Sequence, residues 1–311
     1  MEENNAQECL YHVPALLKET VKLLITNPEG VYVDATFGGG GHSREILNAL
    51  GSRGRLFSFD RDLDAYGNRL DDPRFTFVHG NFRHLENFLR FYGVEKVDGV
   101  LADLGVSFHH FDNGDRGFSF RSDAPLDMRM NRNAEMTAAR IIAESDEDTL
   151  KDILAANADL KSPRNVARAI IKARDEGKAT TTLELAQAVE KALDPRQVKK
   201  EMAQVFQALR IETNHEKEDL QKFLESTLRV IKPGGRLAVL TYHSMEDRMV
   251  KNFIKTGNTE GIEEKDFFGN KQSPWKPLTK KPVEPGEEEI ERNPRCRSAR
   301  LRVAELRKDG K

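Results

Sequence analysis

The chain has 311 residues, about twice an average domain, with 49 Lys and Arg against 51 Asp and Glu for a net charge of −2. A composition that is 38% apolar and 32% charged excludes collagen, simple coiled coil and full disorder. The near-neutral total excludes nucleic-acid binding through bulk charge, so any such binding falls to local basic patches. The amino terminus carries no leader-like apolar run, and no stretch reaches the ~18 apolar residues of a membrane span. Cys9 and Cys296 stand far apart without metal-site spacing, which suits the reducing cytoplasm. Arg295, Arg297 and Arg300 around Cys296 could lower its thiol pKa, although an incidental free cysteine is the simpler reading.

In chain order, residues 31–36 read as a strand and 43–50 as a helix. A second strand at 55–60 precedes a helical 63–70, and a third at 74–79 precedes a helix at 85–91. The fourth strand is 97–103. Short apolar strands separated by helices imply right-handed crossovers and a parallel sheet. Residues 134–158, 163–176 and 182–193 then show helical apolar spacing with almost no strand signal, and Thr181 and Glu184 are spaced as a capping box. After a helix at 220–230, Pro233-Gly234-Gly235 breaks the pattern before a strand at 236–242. Proline, glycine and charge dominate 255–291, a long loop with one short strand near 276–281. Residues 298–305 alternate, placing Leu301 and Val303 inward and Arg300 and Arg302 outward, as in an antiparallel strand with a basic face.

This pattern is a doubly wound α/β fold interrupted by an all-helical insertion. The expected parts are 1–133, the insertion 134–200, and 201–311. Residues 161–200 hold ten basic and five acidic side chains, and residues 292–311 hold eight and two. Solvation explains the first patch as well as nucleic acid does; the second is the sharper candidate.

Between the first strand and its helix lies Asp34-Ala35-Thr36-Phe37-Gly38-Gly39-Gly40-Gly41-His42-Ser43. Glycines there let backbone N–H groups approach a ligand at a helix start. The dinucleotide pattern G-x-G-x-x-G fails, because its sixth position falls on Ser43 or Arg44. The turn instead suits a ligand with an amine and a carboxylate but no pyrophosphate, such as the methionine half of S-adenosylmethionine. Asp60 ends the second strand twenty residues after Gly40, the spacing of a ribose-binding carboxylate. An EF-hand reading of Asp60, Asp62 and Asp64 fails, since Ala65 and Asp71 replace the required Gly and Glu. Asn81 and Phe82 end the third strand where an adenine edge and face would lie. Asp103 ends the fourth and faces the same crevice. The polar stretch 108–132, with Phe111, Phe118 and Phe120 embedded, reads as a binding loop. No His/Asp spacing in it matches a metal geometry, so no metal is expected.

Taken together, these motifs resemble the bacterial 16S ribosomal RNA cytosine-N(4) methyltransferases over nearly the whole chain. The resemblance is carried by His12-Val-Pro-Ala-Leu-Leu17, the Asp34–Ser43 run, Phe59-Asp-Arg-Asp62, Asp103-Leu-Gly-Val-Ser107, Arg116-Gly-Phe-Ser-Phe120 and Pro125-Leu-Asp-Met-Arg-Met130. Phe206-Gln-Ala-Leu-Arg-Ile211, Pro233-Gly-Gly-Arg236, His243-Ser-Met-Glu-Asp-Arg248 and Asn293-Pro-Arg-Cys-Arg-Ser298 continue it. It implies a class I, Rossmann-like methyltransferase sheet with S-adenosylmethionine as donor. The implied acceptor is the N(4) amino group of a decoding-centre cytidine in cytoplasmic 16S ribosomal RNA, in naked RNA or in the assembled small subunit. The resemblance places cofactor contacts on Gly40, Gly41, His42, Asp60, Phe82 and Asp103. His110 stands where the family carries glutamine.

Asp103 would serve the cofactor, the target amine or both, and His243 would help receive an extruded base. Ser244 has the plainer reading of a cap for a helix starting at Met245. The insertion is the expected RNA-recognition domain, and Arg295, Arg297, Arg300 and Arg302 would hold RNA phosphates. Three other readings stay open: methyl transfer to another nucleic acid, a non-catalytic RNA-binding assembly factor, and a nicotinamide oxidoreductase.

Overall fold

Four short runs rich in Val, Leu and Phe become the strands β1 (Val31–Asp34), β2 (Arg55–Asp60), β3 (Phe75–His79) and β4 (Val97–Asp103). The computed structural model describes residues 14–105, 116–269 and 271–308. With β5 (Ile231–Thr241), β8 (Trp275–Pro277) and β9 (Arg300–Leu306), these strands form one sheet in the order β3-β2-β1-β4-β5-β9-β8. The pairs from β3 through β5 are parallel, while β9 runs antiparallel to β5 and β8 antiparallel to β9. β6 (Glu264–Lys265) and β7 (Lys271–Gln272) form a separate hairpin. The chain winds outward from β1 to β3, then returns to β4 and continues the other way. That reversal opens a crevice above the carboxyl ends of β1 and β4.

Apolar side chains cover both faces of the sheet. One face is packed by α3 (Leu85–Phe91), α9 (Glu216–Val230) and α10 (Ser244–Thr256), through residues such as Leu89, Phe223 and Phe253. On the other lie α1 (Leu17–Leu24), α2 (Gly41–Ala49) and the segment around Cys296. A separate core joins Phe118, Leu126, Met128 and Met130 to α4 (Ala138–Glu144), α5 (Glu147–Asn157), α6 (Pro163–Asp175), α7 (Thr182–Glu190) and α8 (Val198–Thr213). The short α11 (Glu287–Arg292) precedes β9.

Several elements differ from their sequence patterns for local reasons. The expected helix at 63–70 is a 3-10 turn, Leu63–Asn68, begun by the Asp62 carboxylate, which accepts the Asp64 N–H at 3.0 Å. The expected helical stretch at 134–158 divides into α4 and α5, because Asp146 caps a new helix by accepting the Thr149 N–H at 2.8 Å. Pro233-Gly234-Gly235 does not precede β5 but lies within it. A register shift between Val97 and Gly99 absorbs the extra residues there, and Gly234 takes a φ of 83°. The capping box at Thr181 and Glu184 is present. In the stretch read as a binding loop, Phe118 is buried and Phe120 packs edge-on against Phe206 at 5.5 Å, both in the helical core.

Candidate active site

The turn from β1 into α2 is built around a buried acid. Asp34 accepts the Thr36 N–H at 3.1 Å and the Ser43 hydroxyl at 2.6 Å, and Ser43 Oγ lies 2.7 Å from Ser58 Oγ. Burial pushes the Asp34 carboxyl above the ordinary carboxylate range. Gly40 caps α2 with a φ of 75°, and a Cβ there would meet the Phe37 ring at 3.0 Å. Gly41 lies against Pro14, whose Cγ would sit 2.3 Å from an added Cβ. Only glycine fits these two positions without displacement, and the first N–H groups of α2 have no partner within the helix, as an anion-binding helix start requires.

Asp60 ties this turn to β2. Its Oδ2 accepts the Gly38 N–H and its Oδ1 the Asp62 N–H, both at 2.8 Å. Burial, the largest influence, raises its pKa against these two bonds. Each carboxylate oxygen keeps a second lone pair, which is what a ribose diol would use. Phe82, after β3, stacks edge-on against Phe223 at 5.1 Å. Asn81 is not free for an adenine edge: its amide donates to Asp219 at 2.5 Å and its oxygen accepts the Arg83 N–H at 3.0 Å.

Asp103 ends β4 and collects partners from three elements. Its N–H donates to Thr36 Oγ1 at 2.6 Å, its Oδ2 lies 3.6 Å from His42 Nδ1, and the Tyr242 hydroxyl hydrogen-bonds its carboxylate. Burial first, then the Asp103 charge, keeps that hydroxyl protonated far above its usual range. His42 is buried, and its Nε2 has no partner among the described residues. An orphaned imidazole nitrogen costs about 1–3 kcal/mol, a penalty that a polar ligand in the crevice would remove. The glycine turn, the Asp60 lone pairs and this nitrogen fit an amino-acid nucleoside. His110 lies outside the described residues.

On the far side, His243 follows β5 and takes the cap position of α10. Its Nε2 is 2.9 Å from Glu246 Oε1, while Glu246 Oε2 accepts the Tyr242 N–H at 3.1 Å. Ser244 therefore does not cap the helix. Its hydroxyl reaches Asp159 in the helical insertion, and Arg248 reaches the same carboxylate at 3.3 Å. Glu216 adds a second carboxylate beside His243 and Glu246, the three side chains meeting within 4.8 Å. Arg210 already binds both Glu216 oxygens, at 2.9 and 3.0 Å.

The basic strand is only partly as its alternation suggests. Arg295, Arg297 and Arg300 are exposed, but Arg302 is buried in a two-pronged pair with Asp247 at 2.7 and 3.0 Å. Alternation assumes one wet face, and α10 covers the face onto which Arg302 points. The arginines do not activate Cys296 either: it is buried, and burial with nearby Glu289 pushes its thiol up. The partners Tyr242, Glu246, Asp159 and Asp219 escaped the sequence reading because their contacts are long-range or cross an element boundary. Glu246 alone left a signal, the three-residue spacing from His243 typical of a helix start.

The MraW methylase family pattern matches residues 9–307. A ribosomal RNA small subunit methyltransferase H from Bacteroides thetaiotaomicron is 55% identical over 298 residues, covering 96% of this chain and 98% of its own. Its namesake in Parabacteroides distasonis is 54% identical over 306 residues, covering 98% and 99%. Among solved structures, an rRNA methylase from Streptococcus thermophilus aligns over 94% of this chain and 93% of its own, with 13% identity and a TM-score of 0.42. The chain belongs to the MraW methylase family, and is a methyltransferase with S-adenosylmethionine as its cofactor.

Proposed function

We propose that the protein methylates the exocyclic N(4) amino group of a decoding-centre cytidine in 16S ribosomal RNA, in the cytoplasm and within the small subunit. The names of its relatives support ribosomal RNA as the substrate. The observation that carries the chemistry is the end of β4, where Asp103 is held by Thr36, Tyr242 and His42 beside an unpartnered imidazole nitrogen. The bound cofactor supplies an electrophilic sulfonium methyl. Gly40, Gly41, His42, Asp60, Phe82 and Asp103 are its proposed contacts, with His110 completing the set.

A cytosine amino group is a poor nucleophile, because its lone pair is delocalised into the ring. An Asp103 carboxylate accepting an N(4)–H bond would localise that pair, and alignment supplies much of the remaining rate. His243 is proposed to help receive the extruded base. Arg295, Arg297 and Arg300 are proposed to hold RNA phosphates, with residues 134–200 as the recognition domain; Arg302 keeps its place in the buried pair. Transfer of labelled methyl to small-subunit RNA or particles, followed by mass mapping of nucleosides, tests the reading. It predicts N(4)-methylcytidine at one position, lost in Asp60→Ala and Gly40→Asp. Label on another nucleic acid, or on another atom of cytosine, would replace the proposed substrate.

A further inference from the structure

His243 sits at the carboxyl end of β5 beside the strand that presents Asp103, and both of its ring nitrogens are buried without a completed hydrogen bond. Its surroundings are charged on every side. Glu246, one turn along its own helix, faces Nε2 at 2.9 Å and is itself anchored by the Tyr242 N–H. Glu216 approaches from α9, with its charge balanced by Arg210 of α8. Asp103 stands on the strand side, bonded to the Tyr242 hydroxyl. Of the two neutral tautomers, a buried carboxylate this close to Nε2 favours the one with its proton on that nitrogen. The lone pair then falls on Nδ1, which has nothing to accept from.

We infer that Glu246 is a positioning residue that fixes His243 with Nδ1 unprotonated, so that His243 accepts the proton released from the target amine. The inference rests on the proposed methyl transfer. In that step the N(4) lone pair forms the bond to the methyl carbon as the carbon–sulfur bond breaks, and the electrons of that bond remain on sulfur as a thioether. The positive charge is then on N(4). Loss of one proton to His243 Nδ1 restores a neutral amine and leaves an imidazolium, flanked by Glu246 and Glu216. The methylated ammonium is acidic enough that an imidazole suffices. Without Glu246 the proton can sit on either nitrogen, and part of the population presents an N–H where an acceptor is needed.

Nitrogen NMR of the full-length, histidine-labelled protein reads the tautomer without any turnover, with His243 assigned by its disappearance in His243→Gln. The expected wild-type signature is a protonated Nε2 and an unprotonated Nδ1. Glu246→Gln, whose amide oxygen can still accept the Tyr242 N–H while its NH2 then faces Nε2, should shift the proton towards Nδ1. It should also lower kcat ten- to hundredfold, with KM for RNA and affinity for S-adenosylhomocysteine changed less than twofold. A wild-type Nδ1–H signature overturns the inference even if every variant misfolds. An unchanged tautomer or an unchanged kcat in folded Glu246→Gln overturns it too. If wild type shows the expected tautomer but methylates no RNA, the substrate reading fails and the proton-acceptor role with it, while the positioning by Glu246 stands.

Discussion

At the scale of single residues, the site is held by groups whose charge is expensive where it stands. Asp34 has no contact with solvent, and burial raises its pKa above the unfolded value near 4. The folded protein therefore binds that proton more tightly than the unfolded chain. The stability this gives is complete below about pH 4 and is lost as pH rises through the folded value. Asp34→Asn mimics the protonated side chain, can still accept the Thr36 N–H, and replaces the bond accepted from Ser43 by one donated to it. Its melting temperature should exceed wild type by about 2–4 °C at pH 8, with the gap closing towards pH 4. A gap independent of pH would show that the charge is not the cause. Arg302 tests the opposite case. Arg302→Ala leaves nearly buried Asp247 with Arg300 at 3.6 Å as its remaining partner, and urea unfolding should show a loss of about 2 kcal/mol. Exposed Arg297→Ala should change stability by less than about 0.5 kcal/mol. The positions of Asp34, Asp60 and Asp103 at strand ends were legible, because the apolar runs before them ended so sharply. Arg302 was misread because nothing in its own strand reveals the helix that covers it.

Elements bring these residues together, and here legibility depended on how local the cause was. β1 to β4 and the capping box at Thr181 follow from patterns within a few residues. The split between α4 and α5 depended on one cap, and the course of β5 through Pro233-Gly234-Gly235 depended on its pairing with β4. The tie between the insertion and the sheet was not legible at all, since Asp159 meets Ser244 and Arg248 more than eighty positions away. That contact joins the residues after α5 to the first turns of α10, next to His243. It is half-exposed, so Asp159→Asn should cost less than about 1 kcal/mol of stability. Its effect should fall on geometry. KM for RNA should rise several-fold while S-adenosylhomocysteine binds as to wild type, measured by calorimetry beside a transfer assay. Equal losses in both would mean that the contact supports the whole fold rather than the orientation of the insertion.

For the whole molecule, a net charge of −2 means that attraction to RNA depends on where cations are left unpaired. The insertion's excess of basic residues is misleading on this point. Lys161 pairs with Asp194, Arg164 and Arg168 with Glu147, Arg174 with Asp175, and Lys178 with Glu176. Among the described residues, Lys191, Arg196 and Lys199 are exposed basic side chains of the same stretch for which no ion pair is found, and they gather before and at the start of α8. Composition counted all of these charges alike, because pairing across helices cannot be read from one sequence. The expected binding surface is therefore the 191–199 cluster together with exposed Arg297, whereas Arg300 is partly offset by Asp247 at 3.6 Å and Glu284 at 3.4 Å. Replacing Lys191, Arg196 and Lys199 together by alanine should weaken RNA binding and lower the slope of log affinity against log salt by about 2, at roughly 0.7–0.9 per phosphate contact. Replacing Arg164 and Arg168 removes two formal charges, yet should leave that slope nearly unchanged, because Glu147 and Asp148 already neutralise them. Equal loss of slope in both variants would mean that RNA responds to the total charge of the insertion, and the paired and unpaired cations would then be equivalent to it.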